Sequence, residues 1–180
     1  MRAWRKMSSV LFGRDPQPRP WIIADWPAVI YAVGDVHGRL DLLRLLEAAI
    51  VSDAANIKGE KWIVLLGDYV DRGPYSAQLI DHLLSAPPSG FRRICVVGNH
   101  ETAMLGFVDR PTLTSSWLQI GGDETLASYG LSPAQISRTR DLSSLIASHI
   151  PSEHVEFLRN LPAGLSVADT SFVHAAELEQ

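Results

Sequence analysis

Short apolar runs alternate with segments of helical periodicity along residues 29–97. The runs at residues 29–33, 62–66 and 91–97 have the length and composition of buried strands. Between them, leucine and isoleucine recur at helical spacing in residues 40–50 and 75–84. The pattern predicts a β-α-β-α-β unit with parallel strands, in which ligands bind beyond the carboxyl ends of the strands.

The rest of the chain is helical in pattern and then returns to strands. We expect helices within five segments: residues 104–108, 116–120, 124–129, 142–150 and 152–161. Two short strands at residues 164–168 and 171–174 would pair as a hairpin. Residues 1–27 contain the proline-rich stretch RDPQPRP and no apolar core of a signal peptide, so we expect an irregular tail or packing arm there. One domain over residues 28–180 would follow.

Composition and charge narrow the class of protein. A chain of 180 residues that is 46% hydrophobic and 20% charged fits one soluble globular domain. With 16 basic against 20 acidic residues, it lacks the positive surface that binds nucleic acid or an anionic membrane. No run approaches the ~20 apolar residues of a membrane span. The single cysteine, Cys95, fits a reducing compartment and a buried packing role. We therefore expect a cytoplasmic protein without nucleic-acid or membrane partners.

Each of the first three predicted strands ends in a glycine that is followed by residues able to bind metal ions. The three segments read GDVHG from residue 34, GDYVDRG from residue 67 and GNHE from residue 98. If the strands are parallel neighbours, the segments meet at one edge of the sheet. The side chains brought together there would be those of Asp35, His37, Asp68, Asn99 and His100.

Carboxylates, imidazoles and an amide oxygen suit manganese, iron or zinc better than calcium or a thiolate-bound zinc. Two ions about 3.5–4 Å apart need a shared ligand, which a carboxylate can provide. Asp68 is the candidate bridge, and Asp35 and His37 would complete one site with it. Asn99 would serve the other ion together with a histidine further along the chain. One Gly-Asp pair after a strand is ordinarily a turn, but three such segments in succession favour a metal centre.

These segments resemble the signature motifs of the calcineurin-like metallophosphoesterases. GDYVDRG resembles the phosphoprotein phosphatase branch in particular, including its bacterial serine/threonine phosphatases, and the match is close over residues 30–101. Trp117 and the stretch GGDETLASYG at residues 121–130 resemble an insert of bacterial members. FVHA at residues 172–175 resembles the fourth motif, in which a metal-binding histidine follows a short strand. The resemblance implies an α/β fold with a central β-sandwich flanked by helices.

The resemblance also implies two divalent ions, manganese in the first place and iron or zinc as alternatives. One ion would be held by Asp35, His37 and Asp68, and the other by Asp68, Asn99 and His174. A water activated by both ions would attack phosphorus.

The same resemblance assigns the remaining catalytic roles. His100 would protonate the leaving oxygen, and Asp71 would hold His100 by a hydrogen bond. Arg72 would bind the phosphate oxygens, with Asn99 also at the substrate. Glu101 is expected to have a structural role.

Three functions stay open, and the first is a serine/threonine protein phosphatase acting on a phosphorylated protein or a small phosphoester. The second is a hydrolase of dinucleoside polyphosphates, because related bacterial enzymes use the same ligands. The third is an inactive protein that binds metal or a phosphorylated partner. The family fold continues past its fourth motif to another strand and another metal-binding histidine, whereas here Ala176 replaces the usual glycine and the sequence ends at Gln180. We therefore expect the C-terminal part of the family fold to be missing.

Overall fold

The computed structural model describes residues 19–175, and its strands fall into two three-stranded sheets. One sheet has the order β2-β3-β4 and the other the order β1-β5-β6. The strands are β1 (Trp21–Ala24), β2 (Val29–Val33), β3 (Lys61–Leu65), β4 (Phe91–Cys95), β5 (Gly164–Val167) and β6 (Thr170–Phe172).

Seven α-helices accompany the sheets in these residues. They are α1 (Leu40–Asp53), α2 (Ser76–Leu84), α3 (Asn99–Asp109), α4 (Asp123–Ser128), α5 (Pro133–Arg138), α6 (Leu142–His149) and α7 (Ser152–Asn160). A 3-10 turn at Ala54–Asn56 follows α1, and a π-helical turn at Leu118–Gly122 precedes α4. Within residues 19–175, no helix combines the length and the apolar character that crossing a membrane requires.

The sheet β2-β3-β4 is parallel, as the β-α-β-α-β pattern predicts. Val33 pairs with Leu65, and Leu65 pairs with Cys95, so the three strands end at the same level. The central strand β3 is almost completely buried along Trp62–Leu65, as expected of a parallel strand covered on both faces. The three motif segments therefore leave the sheet at one edge.

Alternate residues of β3 face two different layers. Ile63 and Leu65 join the main core formed with the helices, whereas Trp62 and Val64 lie in a smaller cluster between the two sheets. Leu165 and other residues of the second sheet complete this smaller cluster. The expected α/β fold with a central β-sandwich flanked by helices is confirmed.

The N-terminal segment differs from the expectation of an irregular arm over residues 1–27. Trp21–Ala24 forms β1, which pairs in parallel with Gly164–Val167 of β5. The two prolines Pro20 and Pro27 flank this strand rather than interrupt it, and Ile22 packs into the cluster between the sheets. The expectation is wrong for residues 21–24, while residues 1–18 lie outside the described part of the chain.

The helix α5 is absent from the sequence-based prediction. Its signal is a capping box: the Ser132 hydroxyl accepts the Gln135 main-chain N–H at 3.3 Å, and the Gln135 amide oxygen accepts the Ser132 N–H at 3.0 Å. Pro133 at the first helical position also favours a helix start. The expected hairpin at the end of the chain is present, since β5 and β6 are antiparallel neighbours.

Candidate metal centre and active site

The three motif segments approach each other closely at the sheet edge, and two glycines permit this. A Cβ atom on Gly67 would lie 2.7 Å from the Cα of Gly98. A Cβ atom on Gly98 would lie 2.2 Å from Oδ1 of Asp68. The loops after β3 and β4 therefore touch backbone to backbone, which only glycine allows at these positions.

His37 directs one ring nitrogen into the space between the loops. Its Nδ1 lies 2.8 Å from the carbonyl oxygen of Val70, and because a carbonyl only accepts, Nδ1 carries the proton. In that tautomer Nε2 presents a lone pair. It lies 3.7 Å from Oδ2 of Asp35 and 3.8 Å from Oδ2 of Asp68, and it is buried without a hydrogen-bond partner among residues 19–175.

His174, just after β6, also has its Nδ1 bound to a main-chain carbonyl. Its Nδ1 donates to the carbonyl oxygen of Leu66 at 2.9 Å, and its Nε2 lies 2.8 Å from Oδ1 of Asn99 and 3.3 Å from Oδ2 of Asp68. With the proton on Nδ1, the lone pair of Nε2 faces the side chains of Asn99 and Asp68.

The donor set fits divalent metal ions. Two groups have potential ligand atoms within 4.8 Å of one another, and Asp68 belongs to both. The groups are Asp35, Asp68 and His174, and His37, Asp68 and His100. A backbone carbonyl that fixes the tautomer of an imidazole, as at His37 and His174, is typical of metal-binding histidines. The strongest support for a bound cation is the buried Nε2 of His37, which has a lone pair and no hydrogen-bond partner among the described residues.

His100 lies in the first turn of α3 and is bound by Asp71 rather than by a carbonyl. Its Nδ1 donates to Oδ2 of Asp71 at 2.6 Å, and its Nε2 is 3.8 Å from Oδ2 of Asp68. Burial acts to lower the pKa of His100, but the hydrogen bond to Asp71 and the charges of Asp68 and Asp71 outweigh it, so the pKa is raised. The hydrogen bond to Asp71 therefore orients the His100 ring so that Nε2 faces Asp68.

Arg72 is exposed beside this ring. Its Nη2 lies 3.4 Å from Nε2 of His100, and its main-chain N–H donates to the carbonyl oxygen of Gly121 at 3.3 Å. It borders a cavity of about 570 Å³, which the π-helical turn and the start of α4 also line. Asp123 and Glu124 form the acidic part of its wall.

Glu101 joins the loops after β3 and β4 from within the protein. Its carboxylate accepts four main-chain N–H groups: those of Asp68 at 2.8 Å, Tyr69 at 2.7 Å, Val70 at 3.3 Å and Gly98 at 2.9 Å. Burial, together with the charge of Asp68, raises the pKa of Glu101 to about 7, although the main-chain donors oppose this. Glu101 lies behind the candidate site and supports it, in agreement with the expected structural role.

The contacts that hold the Asp71 carboxylate were not predicted from the sequence. Trp117 donates its indole N–H to Oδ2 of Asp71 at 2.9 Å, and Thr125 donates its hydroxyl to Oδ1 at 2.7 Å. Trp117 is part of the insert noted above, and a buried tryptophan usually finds an acceptor for its N–H. Nothing in the sequence points from Thr125 to Asp71. Residues after 175, including Ala176, lie outside the described part of the chain.

The fold, together with the Asp, His and Arg side chains at the sheet edge, is that of a metal-dependent phosphoesterase. Residues 28–173 match the calcineurin-like phosphoesterase family, and the chain belongs to that family. The family expected from the three motif segments is thus confirmed.

Two curated relatives differ in the activity that their names give. The chain is 40% identical over 75 residues to a symmetrical bis(5'-nucleosyl)-tetraphosphatase of Pseudomonas fluorescens, a match covering 42% of this chain and 24% of that protein. It is 35% identical over 97 residues to a serine/threonine-protein phosphatase 2B catalytic subunit A1 of Saccharomyces cerevisiae, covering 53% of this chain and 16% of that protein. The matched segment therefore spans at most a quarter of these relatives.

Among solved structures, one similar chain is assigned as a diadenosine tetraphosphatase. The TM-score is 0.55 at 21% identity, with 88% of this chain and 55% of that chain covered. At that identity the likeness supports the fold alone.

Proposed function

We propose that the protein is a metal-dependent phosphomonoesterase that acts as a serine/threonine protein phosphatase. The observation that carries this proposal is that candidate metal ligands and an arginine side chain lie together at one edge of the sheet. Asp68 lies within 3.8 Å of His37 and His100 and within 3.3 Å of His174. The guanidinium of Arg72, a group suited to binding phosphate, lies beside His100.

Two divalent ions would be held here, manganese in the first place and iron or zinc as alternatives. The residues for one ion are Asp35, His37 and Asp68, and those for the other are Asp68, Asn99 and His174. When bound, such a pair supplies a nucleophile from water at neutral pH and neutralises charge on the phosphoryl group.

The residues around the ions would orient the substrate and handle one proton. Arg72 would bind the phosphoryl oxygens through its forked guanidinium, with Asn99 also near the phosphate. His100 holds a proton on Nε2 when its ring is protonated, and it would donate that proton to the leaving oxygen. Asp71, hydrogen-bonded to Nδ1, keeps the ring oriented and favours its protonated form.

The wall of the cavity beside Arg72 supports a phosphoprotein substrate. Asp123 and Glu124 would face the part of the substrate beyond the phosphoryl group. A polyphosphate leaving group would meet like charges there, whereas a peptide with a neutral or basic neighbour to the phosphoresidue would not. Because both acidic residues are exposed to solvent, the preference is expected to be modest.

A dinucleoside polyphosphate hydrolase is the second candidate. The similarity to the bis(5'-nucleosyl)-tetraphosphatase of Pseudomonas fluorescens favours it. The full chain, loaded with Mn²⁺, would be given a phosphothreonine peptide and diadenosine tetraphosphate in parallel, and kcat/KM would be compared. A higher value for the peptide supports the protein phosphatase, and a higher value for the nucleotide supports the alternative. If Mn²⁺ binds but neither substrate is hydrolysed, the protein is instead the inactive binding protein considered above.

Replacing Asp68 by asparagine tests the shared-ligand role. We expect Asp68→Asn to weaken Mn²⁺ binding by at least about 100-fold, because residues that merely support ligands already contribute 10- to 100-fold. Hydrolysis should fall with it. Calorimetric titration with Mn²⁺ measures the first effect and phosphate release the second.

The matched control is Asp109→Asn, an exposed aspartate of α3 that pairs with Arg159. It should bind Mn²⁺ and hydrolyse substrate as the unchanged protein does. Unaltered Mn²⁺ affinity in Asp68→Asn would exclude Asp68 as a ligand of either ion.

A further inference from the structure

Asp71 is fully buried, and both of its carboxylate oxygens accept hydrogen bonds. Oδ2 accepts from Nδ1 of His100 at 2.6 Å and from Nε1 of Trp117 at 2.9 Å. Oδ1 accepts from the hydroxyl of Thr125 at 2.7 Å. The carboxylate is therefore fixed by two donors besides the histidine, and both come from the segment after α3.

Thr125 holds Asp71 at two points with one oxygen atom. The main-chain N–H of Asp71 donates to Oγ1 of Thr125 at 2.8 Å, while the single proton of that hydroxyl reaches Oδ1 of Asp71. The hydroxyl of Ser76 is a second acceptor for the same N–H at 3.2 Å. The main chain and the side chain of Asp71 are thus held to a common partner, which limits rotation of the carboxylate.

The backbone at this point needs external support. Asp71 has φ +74° and Arg72 has φ +67°, so two consecutive residues with side chains lie in the left-handed region. Such conformations persist only where their surroundings hold them. Here the holding groups are Thr125 and Ser76 at Asp71, and the carbonyl oxygen of Gly121 at Arg72.

The side chains of Thr125 and Trp117, which donate to the Asp71 carboxylate, are themselves immobilised. Thr125 is completely buried in α4, and the hydroxyl of Ser128 in the same helix accepts the N–H of Ala77 in α2 at 3.0 Å. Trp117 is 1% exposed and packs against Phe107 with ring centroids 4.9 Å apart. Asp71 is therefore fixed by parts of the core rather than by loose surface groups.

We propose that Thr125 and Trp117 are positioning residues that fix the Asp71 carboxylate and, through it, the ring of His100. This inference rests on the proposed phosphoesterase function of the site. Without the hydroxyl of Thr125, Oδ1 of Asp71 loses its donor and the carboxylate can rotate. The ring of His100 then loses its orientation, and Nε2 meets the leaving oxygen less often. Metal binding would be unaffected, because neither residue touches the metal-binding group.

The first experiment replaces Thr125 by valine, which keeps the shape of the side chain and removes the hydroxyl. Turnover of a phosphoserine peptide, whose leaving group is poor, is compared with turnover of p-nitrophenyl phosphate, whose leaving group needs no proton. A positioned general acid contributes about 10²- to 10⁴-fold. We therefore expect kcat for the peptide to fall at least about tenfold further than kcat for p-nitrophenyl phosphate. Thr125→Ser, which keeps the hydroxyl, should restore the ratio.

Ser128→Ala is the matched control, since it also removes a hydroxyl from α4 but does not touch Asp71. It should leave the ratio of the two kcat values unchanged. If Thr125→Val lowers both kcat values by one factor, the positioning role is refuted. Trp117→Phe, which removes the other donor, is examined in the same way should Thr125→Val fail to fold.

A second measurement does not depend on turnover. In protein labelled with ¹⁵N-histidine and loaded with Zn²⁺, the Nδ1–H proton of His100 should give a downfield resonance, identified by its loss in His100→Asn. We expect this resonance to shift or broaden in Thr125→Val and to persist in Ser128→Ala. An unchanged resonance in Thr125→Val would overturn the inference. If the unchanged protein hydrolyses no phosphoester but the resonance responds as expected, the proposed function fails while the positioning of His100 stands.

Discussion

Gly121 lies against the left-handed turn that carries Asp71 and Arg72. Its own φ is +115°, and a Cβ atom built on it would lie 2.6 Å from the main-chain nitrogen of Arg72. The same atom would be 3.1 Å from Cγ of Arg72 and from Cβ of Asp71. Gly121→Ala would therefore push directly on the backbone of Asp71, which is proposed to orient His100, and of Arg72, which is proposed to bind the phosphate.

Two separate costs contribute to the expected loss of stability. A residue with a side chain in such a conformation costs about 1–3 kcal/mol. Forcing an extra methyl group into a packed contact costs about another 1–3 kcal/mol. Because the nearest atom at 2.6 Å belongs to the main chain rather than to a flexible side-chain end, rotation of a side chain cannot relieve the contact. We expect Gly121→Ala to lower the free energy of unfolding by about 2–6 kcal/mol.

Gly130, which follows α4, provides a control with only one of these costs. Its φ is +83°, but a Cβ atom there meets nothing within 4 Å. Gly130→Ala should therefore cost about 1–3 kcal/mol. Gly106 in α3 also has open space, and Gly106→Ala should stabilise the helix by about 0.5–1 kcal/mol.

Urea denaturation of the three variants measures the free energies, and phosphate release measures turnover. We expect Gly121→Ala to be less stable than Gly130→Ala by about 1–3 kcal/mol, the cost of the contact alone. Turnover should fall in Gly121→Ala and remain unchanged in Gly130→Ala, measured where both are folded. Equal stability and equal turnover of these two variants would show that the segment before α4 does not press on the Asp71–Arg72 turn.

Two further predictions concern ionisable groups, namely the buried Glu101 and the half-buried Cys95. Glu101→Ala leaves four buried N–H groups without an acceptor and should lower the free energy of unfolding by at least about 3 kcal/mol, measured by urea titration. The exposed control Glu60→Ala should change this free energy by less than about 0.5 kcal/mol. A similarly small change in Glu101→Ala would contradict the supporting role of Glu101. Burial raises the pKa of Cys95 to about 12, so its thiol should react with a disulfide reagent at pH 8 at least about tenfold more slowly in the folded protein than in urea. Equal rates would contradict this.

The residues of the candidate metal centre could be located from the sequence because their signals are local. Asp35, Asp68 and Asn99 each lie two to four residues after the last residue of an apolar strand. Once the strands are taken as parallel neighbours, their ends must meet, and no further information is needed. His174 was expected only from the resemblance of FVHA to the family's fourth motif, and its contact Asn99 is 75 residues away along the chain.

The parts that could not be predicted depend on contacts between distant segments without periodic pattern. Trp21–Ala24 pairs with a strand about 140 residues later, and its short apolar run is indistinguishable from an arm until that strand is in place. The hydroxyl of Thr125 reaches Asp71 across 54 residues, and the indole of Trp117 reaches it across 46. A single hydrogen bond between two such distant residues does not alter the spacing of hydrophobic residues, so it cannot be predicted from that spacing.

The candidate metal ligands and the pair His100 and Arg72 are held in place by separate parts of the fold. The candidate metal ligands depend on the sheet edge and on Glu101, which holds the main chain of Asp68 and Gly98. His100 and Arg72 depend on the segment from Trp117 to Thr125, which holds Asp71 and the N–H of Arg72. Damage to Glu101 should therefore weaken metal binding and turnover together, whereas damage to Thr125 should reduce turnover and leave Mn²⁺ affinity intact. Loss of Mn²⁺ affinity in Thr125→Val would show instead that the two supports form a single unit.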